Sequence, residues 1–224
     1  MTSTKWPRYL AAGDAALVVE FGDRIDEAIN RRVHVLARAL AQDPISGLGE
    51  AVPTYRSLLV HYDPLQLEYD DVVRQVQERL QRTKDVPPPP SRVVEVPTVY
   101  GGEFGPDITF VAHHNGLSIE EVIRIHSGVD YAVYMLGFTP GFPYLGGMAA
   151  AIAAPRLETP RPRVPAGSVG IAGQQTGIYP IESPGGWRII GRTPLSLFDP
   201  HRDPPALLAA GDRVRFVPIP EAEF

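Results

Sequence analysis

The sequence predicts an α+β protein with two domains, a ferredoxin-like sandwich over residues 1–90 and a closed β-barrel over residues 91–224. Proline and glycine are unevenly distributed, since residues 1–86 hold only four of the 24 prolines and four of the 21 glycines. A run from Pro87 to Pro90 separates the two parts as a stiff polyproline spacer. The apolar pattern changes at the same point, from alternating strand and helix periods to short strands broken by turns.

The first domain is predicted to contain its elements in the order β-α-β-β-α-β. Short β-prone runs at residues 15–21, 51–54, 56–62 and 93–99 indicate the strands. Apolar residues at helical spacing, with Asp23 as the N-cap, predict the first helix: Ile25, Ile29, Val33, Leu36 and Leu40. The second helix carries Tyr69, Val72, Val73, Val76 and Leu80 on one side. This order is typical of a ferredoxin-like sandwich, a fold with no chemistry of its own.

The second domain begins with two short helices and continues as strands. Ser118, with Glu121 three residues later, forms a capping box ahead of a helix over residues 119–126. Another short helix is expected over residues 107–114. The remaining sequence consists of β-prone runs separated by glycine and proline, namely AVYMLGF, SVGIAG, WRIIG, SLFD and RVRFVPI. Short strands with such frequent turns predict a closed barrel.

Composition excludes several classes of function. The net charge of −5 argues against a nucleic-acid binder, and the absence of cysteine excludes disulfides, thiolate metal sites and thiol nucleophiles. The only lysines are Lys5 and Lys84, and neither lies in a glycine loop. A Walker A loop, a Schiff-base enzyme, a Ser-Lys amidase and a biotin carrier all need a suitably placed lysine. Chemistry here would therefore depend on Arg, His, Asp, Glu and hydroxyl groups.

The expected location is the cytoplasm, with no membrane and no nucleic acid among the partners. No apolar run reaches the roughly 20 residues that span a bilayer. Residues 1–9 also lack the apolar core of a signal peptide.

Residues 137–147, with the sequence GFTPGFPYLGG, interleave glycine and proline with aromatic residues. Two interpretations stay open. The rings of Phe138 and Phe142 could close a ligand pocket, or the segment could be a tight barrel turn with its rings in the core.

Residues 156–165 form a strap stiffened by three prolines, in which Glu158 precedes two arginines. In an extended chain Arg161 and Arg163 point to the same side, an arrangement that suits a carboxylate or phosphoryl group. The alternative is a solvated strap whose arginines pair with acids.

Residues 167–180 carry a glycine at every third or fourth position, as in a phosphate loop. No Lys-Ser/Thr follows and no helix begins, so neither a Walker loop nor a Rossmann fingerprint fits. We expect a strand and turn in which the backbone approaches another group closely. The polar residues in and after it would hydrogen-bond an amide-containing ligand or another backbone: Gln174, Gln175, Thr176 and Tyr179.

The histidines show no metal-ligand spacing. His126 ends a helix, where it could simply complement the helix dipole. No metal site is predicted.

Three strings carry a resemblance to a known family: GFTPGFPYLGG at 137–147, PRLETPRPRVPAGSVGIAGQQTGIYP at 155–180 and SPGGWRIIGRTP at 183–194. In this order they resemble the family of bacterial 5-oxoprolinase B subunits. That family is also labelled allophanate hydrolase subunit 1, and it includes an inhibitor of a sporulation sensor kinase. The strings lie within residues 113–220, and the two-domain layout agrees over nearly the whole chain.

The resemblance implies a cyclophilin-like fold for the barrel and a hetero-oligomer with two further proteins. These are the 5-oxoprolinase C subunit, which has a related barrel, and the 5-oxoprolinase A subunit. Together such proteins support the ATP-dependent opening of 5-oxoproline to glutamate, so ATP, which Mg²⁺ can accompany, is the implied cofactor of the complex. Prolyl isomerase activity does not follow from the cyclophilin-like fold.

On this hypothesis the chain is part of a hydrolase complex and is inactive alone. Arg161 and Arg163 would stabilise phosphoryl or carboxylate charge, and Glu158 or His126 would transfer protons. The substrate-binding candidates are Gln174, Gln175, Thr176, Tyr179, Phe138 and Phe142. The alternative function is that of a regulatory binding module that inhibits a sensor histidine kinase or another partner.

Overall fold

The structure is a computed structural model that describes residues 6–83 and 91–224. The chain divides into two compact units, Met1–Pro90 and Ser91–Phe224. The predicted polyproline spacer, Pro87 to Pro90, lies outside the described residues. That each unit folds by itself stays a prediction.

The first unit is a four-stranded antiparallel sheet with two helices. Its elements are β1 (Arg8–Ala11), β2 (Ala16–Glu20), α1 (Glu27–Gln42), β3 (Leu48–Pro53), β4 (Ser57–Tyr62) and α2 (Tyr69–Arg82), with the strands in the order β1-β2-β4-β3. Apolar side chains from β2 and β4 pack with those of both helices into one buried core. The α-helices form because apolar residues recur on one side, as in Val33, Leu36 and Leu40 of α1.

Three expectations for this unit are wrong in detail. The N-cap of α1 is Asp26, whose carboxylate accepts hydrogen bonds from the main-chain N–H groups of Ala28 and Ile29. Asp23 therefore does not cap the helix, and Ile25 precedes it with 55% of its surface exposed. The run at 93–99 belongs to the second unit, and β1, which the sequence pattern did not indicate, occupies the sheet edge beside β2 instead.

The second unit is the predicted closed barrel, so the α+β fold class is confirmed. Its elements are β5 (Val93–Tyr100), α3 (Ile108–Asn115), α4 (Ile119–Ser127), β6 (Asp130–Leu136), β7 (Pro143–Gly146), β8 (Arg161–Val164), β9 (Ser168–Ala172), β10 (Gln175–Ile178), β11 (Ser183–Gly185), β12 (Arg188–Arg192) and β13 (Arg213–Pro218). Seven strands close in the order β10-β7-β6-β13-β5-β12-β9, and β11 and β8 form a separate two-stranded sheet. Short 3₁₀ turns lie at Ala150–Ile152 and Glu221–Glu223.

Local signals explain most elements of this unit. The capping box is present, because the Ser118 hydroxyl accepts from the Glu121 N–H at 3.1 Å and the Glu121 carboxylate accepts from the Ser118 N–H at 2.8 Å. The run SLFD does not form a strand, and Phe198 makes an isolated bridge with Ala206.

Among the described residues, no helix is both long and apolar enough to cross a membrane.

Candidate functional site

The barrel wall has two apolar faces, and the segments that stand out in the sequence meet on the outer one. Neighbouring residues of a strand point to opposite faces. Ile171, Ile178 and Ile190 therefore pack in the main core, while the residues beside them in sequence pack in a second cluster. That second cluster, here called the aromatic layer, consists of Phe142, Val164, Ala172, Tyr179, Trp187 and Ile189, with Tyr144 packed against it. It draws residues from all three strings.

Phe142 is the centre of the aromatic layer. Its ring makes edge-to-face contacts with four others at centroid distances of 5.1–5.6 Å: Phe138, Tyr144, Tyr179 and Trp187. Edge-to-face pairs place the positive rim of one ring against the negative face of another and therefore add to the stabilisation from burial. The rings are thus held in fixed orientations.

The recurring glycines leave space for these rings, because a side chain at several of the glycine positions would collide with an aromatic residue. A Cβ atom at Gly177 would lie 3.0 Å from Phe142 Cζ, and one at Gly170 would lie 3.1 Å from Trp187 Cβ. A Cβ atom at Gly185 would lie only 2.3 Å from the Tyr179 hydroxyl. The close approach that the glycine pattern predicts is therefore an approach of the protein's own aromatic side chains.

Arg161 fastens the strap to the rest of the barrel unit. Its two terminal nitrogens donate to the two carboxylate oxygens of Asp107 at 2.8 and 2.9 Å. Asp107 is 9% exposed in its side chain and also accepts from the main-chain N–H of Ile189 at 2.7 Å. This arginine is therefore engaged, and its fork is not open to a ligand in the conformation described.

Arg163 and Glu158 lie on the exposed side of the strap. Arg163 makes a two-pronged ion pair with Glu182 through Nε and Nη2, both at 3.0 Å, with 76% of its side chain exposed. The bonds to Glu182 raise the pKa of Arg163, which stays charged in any case. Glu158 is exposed and makes no ion pair with the residues that the structure describes. An incoming ligand can compete for these two side chains without opening the core.

Tyr179 lies beneath the strap at the edge of the aromatic layer. Burial raises the pKa of its hydroxyl, against the opposing effects of the Trp187 main-chain N–H and of the charges on Arg156 and Arg161. It is therefore a neutral phenol at physiological pH. Gln174, which is exposed, and Gln175, which is half-buried, belong to the turn and first position of β10.

His126 and Thr176 lie inside the barrel and not on the outer face. Both are 0% exposed, and His126 Nε2 lies 2.9 Å from Thr176 Oγ1. Thr176 donates to the Gly170 carbonyl, so its hydroxyl accepts from His126 Nε2–H. His126 Nδ1 must then accept from the Tyr100 hydroxyl, 2.8 Å away. The four groups form one hydrogen-bonded chain with a defined direction.

Burial keeps the His126 imidazole neutral. Burial lowers the pKa of His126 to about 3 and raises the pKa of Tyr100 well above its ordinary value. A second proton on the imidazole would also make Nδ1 a donor, so the Tyr100 hydroxyl would have to turn from donor to acceptor. The ring rests among Tyr131 and Phe216 at centroid distances of 5.4 and 4.4 Å. Proton transfer by His126 to a ligand on the outer face would require the barrel interior to open.

Phe138 combines strain with exposure. It is a non-glycine residue with φ of 67°, and 63% of its surface is exposed. The hydroxyl of the next residue, Thr139, is buried without a hydrogen-bond partner among the described residues. Strained backbone and unsatisfied polar groups of this kind are concentrated at ligand-contacting sites.

The residues predicted from the sequence thus fall into three groups. The first group lies at the outer face: Phe142 and Tyr179 belong to the aromatic layer, Phe138 contacts it, and Arg163 and Glu158 belong to the strap over it. The second group, His126 and Thr176, lies in the interior. The third is Arg161, which holds the strap. Asp107 and Trp187 were not predicted from the sequence. Trp187 stands within a recognised string and could have been found there, but no local signal marks Asp107 as the partner of an arginine 54 positions away.

The described residues do not fit a nucleotide or a metal. The glycines that would cradle phosphates are occupied by Trp187 and Phe142, and no lysine follows them. Within residues 6–83 and 91–224, no three carboxylate or imidazole groups converge as metal ligands. We therefore derive no step through ATP or Mg²⁺ on this chain.

Comparison with known proteins gives a consistent picture. Residues 7–208 match the family model described as carboxyltransferase domain, subdomain C and D. The 5-oxoprolinase B subunit of Bacillus subtilis is 50% identical over 222 residues, which cover 95% of this chain and 92% of that protein. The 5-oxoprolinase B subunit of Escherichia coli O157:H7 is 47% identical, over 93% of this chain and 94% of that protein.

A solved structure supports the fold. The crystal structure of TTHA0988 has a TM-score of 0.81 and 44% sequence identity over 92% of this chain. The present chain spans about 40% of the length of that solved protein.

Proposed function

Because the chain belongs to the family of carboxyltransferase-domain proteins with subdomains C and D, and within it to the 5-oxoprolinase B subunits, we propose that it is the B subunit of an ATP-dependent 5-oxoprolinase. The complex would open the cyclic amide 5-oxoproline to glutamate and would also contain the A and C subunits. The identity of 50% over 92% of the Bacillus subtilis protein carries this proposal.

The aromatic layer supports a substrate-facing role for the outer face of the barrel. A flat lactam ring can lie against Phe138, whose ring is exposed beside the buried Phe142. Gln174 and Gln175 offer amide donors and acceptors near the β10 edge, and Tyr179 lies below the strap. Arg163 would meet developing negative charge by exchanging its bond to Glu182 for a bond to the substrate.

Acid–base chemistry on this face would fall to Glu158. It is exposed and has no ion-pair partner among the described residues, whereas His126 is sealed inside the barrel. We assign His126 and Thr176 the role of holding the barrel interior together. Arg161 holds the strap in place through Asp107.

ATP would be bound elsewhere in the complex. The chain lacks a lysine-bearing glycine loop, and its glycine-rich strands are packed against aromatic rings. Activation of a stable lactam by phosphorylation would therefore need a nucleotide site on another protein of the complex. This chain would bind and orient the cyclic amide.

The test is an ATP-dependent 5-oxoprolinase assay on the purified chain alone and on the chain reconstituted with its A and C subunits. We expect glutamate and ADP only from the reconstituted complex. Robust turnover by the single chain would contradict its assignment to a complex. A regulatory module predicts a different result, in which the A and C subunits turn over 5-oxoproline at an unchanged rate when this chain is omitted.

A further inference from the structure

A long connection between β12 and β13, residues 193–212, lies against the turn that carries Phe138. A Cβ atom at Gly141 would lie 3.1 Å from Phe198 Cβ and 3.4 Å from the Leu197 carbonyl oxygen, so the main chain of the turn lies directly against the connection. Gly141 has φ of 80°, in the region that favours glycine. The position of the turn therefore depends on the shape of the connection.

The connection has an irregular backbone that one arginine holds together. Residues 193–212 contain no helix or strand. Irregular segments longer than about 12–15 residues are uncommon in compact domains, and most are either functional or disordered. Here Arg202 donates to four main-chain carbonyls at 3.0–3.4 Å, through all three of its nitrogens: those of Ser196, Leu197, Pro204 and Pro205. These bonds give the connection a defined shape.

Arg202 joins the two arms of the connection, because two of its acceptors precede it in sequence and two follow it. It forms no ion pair with any residue that the structure describes, so main-chain carbonyls alone stabilise its charge. Leu197 and Leu208, one on each arm, are buried in the main core. A planar guanidinium can reach several carbonyls at once, whereas a single ammonium or amide group cannot bridge both arms in this way.

The Leu197 carbonyl links Arg202 to the turn. This oxygen accepts from Arg202 Nη2 at 3.4 Å, and the same oxygen lies against Gly141. The residue after Gly141 is Phe142, whose buried ring packs edge-to-face against the ring of Phe138 at a centroid distance of 5.6 Å. A continuous series of contacts therefore leads from the guanidinium to the exposed ring.

We propose that Arg202 is a positioning residue, which fixes the place of the Phe138 ring on the outer face by holding the Leu197 carbonyl and Phe198 against the turn. Position matters for a group that contacts a substrate, since a misplacement of about 1 Å caused by a distant change can cost about a hundredfold in rate. The contact of Phe138 with a substrate rests on the proposed function. The effect of Arg202 on the ring does not.

The experiment on the ring uses the full chain with 4-fluorophenylalanine in place of Phe138, observed by fluorine NMR. We expect one sharp resonance in the parent. Arg202→Gln should shift or broaden this resonance, because the amide cannot bridge both arms. Arg202→Lys should shift it too, because the ammonium keeps the charge but not the fork.

Arg56→Gln is the matched control for this measurement. Arg56 also donates to a main-chain carbonyl, that of Gly22 at 2.8 Å, but it belongs to the first unit. We expect its variant to leave the fluorine resonance where it is in the parent. The thermal midpoint of each variant shows that the chain is folded, and Arg202→Lys decides the question where Arg202→Gln does not fold.

Kinetics of the reconstituted complex test the consequence for the substrate. We expect Arg202→Gln to raise KM for 5-oxoproline about tenfold with a smaller change in kcat, because the Phe138 ring binds the substrate and takes no part in bond breaking. A purely structural role would instead reduce the amount of active complex, which lowers kcat and leaves KM unchanged. Arg56→Gln should keep both constants.

The outcomes separate this inference from the proposed function. A moved resonance supports the positioning role of Arg202, even where the complex fails to turn over 5-oxoproline. A moved resonance with unchanged KM still supports that role and removes Phe138 from contact with the substrate. An unchanged resonance in both Arg202 variants overturns the inference, whatever the activity of the complex, as does an equal change in Arg56→Gln.

Discussion

At the scale of single residues, Phe138 has a left-handed backbone conformation, which is unfavourable for a non-glycine residue. A positive φ is costly for a residue with a bulky side chain and is free for glycine. An exposed ring gains little burial in return for this cost. The ring is therefore expected to serve a contact outside the chain.

Replacing Phe138 separates stability from function. Phe138→Gly should raise the thermal midpoint, because it relieves strain of about 1–3 kcal/mol, while turnover of the reconstituted complex falls. Phe138→Leu keeps the strain but removes the ring, so it should lower turnover without the gain in stability. A glycine variant with unchanged turnover would remove Phe138 from the site.

His126 predicts a dependence of stability on acid. Its pKa is about 3 in the folded state and about 6.5 in an unfolded chain, so the unfolded state binds the extra proton between these values. Stability therefore falls as pH falls from 6.5 toward 3, by about 2 kcal/mol between pH 7 and pH 5. Denaturant unfolding at several pH values measures it.

The control for this prediction is a comparison of two histidines. His126→Gln should flatten the pH dependence, because glutamine does not titrate. His113→Gln, at an exposed position of α3, should leave the dependence as it is in the parent. Equal slopes in all three proteins would show that another group is responsible.

At the scale of elements, the strap makes two ion pairs of different kinds, one to a nearly buried carboxylate and one in solvent. Arg161 bonds to a carboxylate that is nearly buried, whereas the bonds of Arg163 to Glu182 are in solvent. Removing one partner of a buried pair leaves a charge without compensation. Surface pairs are screened and contribute little to stability.

The two arginines should therefore respond differently to truncation. Arg161→Ala should lower the stability of the barrel unit by about 2 kcal/mol, because Asp107 keeps its burial and loses its partner. Arg163→Ala should leave the thermal midpoint nearly unchanged and reduce turnover of the reconstituted complex. Arg163→Lys should be impaired almost as much, since a single ammonium cannot replace a fork. Thermal unfolding and turnover of each variant decide between these roles.

Local sequence signals predicted the helices and strands better than they predicted which distant residues contact each other. The capping box at Ser118 depends only on neighbours within a few residues, and it is present. The bond from Arg161 to Asp107 joins residues 54 positions apart, which no local pattern specifies. Strand alternation alone could have placed Thr176 with Ile178 inside the barrel, away from Tyr179, because residues two apart face the same side.

At the scale of the whole molecule, composition marked the change of architecture along the chain. The shift in proline and glycine content falls where the two compact units divide, and the barrel was predicted from turn frequency. Its strand order was not predictable, because closure depends on pairing between distant strands such as β9 and β12. β1 was not predicted because it is a short, mostly exposed edge strand in which apolar and polar residues do not alternate.

Each unit has its own buried core, which predicts independent folding of the barrel unit. Residues 91–224 expressed alone should unfold cooperatively on heating or in denaturant, and should keep the near-ultraviolet circular dichroism of the buried Tyr131 and Trp187. Residues 101–224, which lack β5, serve as the control and should not fold, since the barrel could not close. A fragment 91–224 without a cooperative transition would contradict the boundary.

The first and last strands of the barrel lie side by side and run parallel, with Arg213 opposite Val93 and Pro218 opposite Thr98. The chain thus enters the wall at one rim and leaves it at the other, where the Phe224 ring meets Phe104 at a centroid distance of 4.6 Å. Six residues of strand at about 3.3 Å each separate the rims by about 20 Å. A circular permutant that joins residue 224 to residue 91 therefore needs a linker of at least about six residues. A protein fused behind residue 224 would emerge at the rim opposite the one where β5 begins.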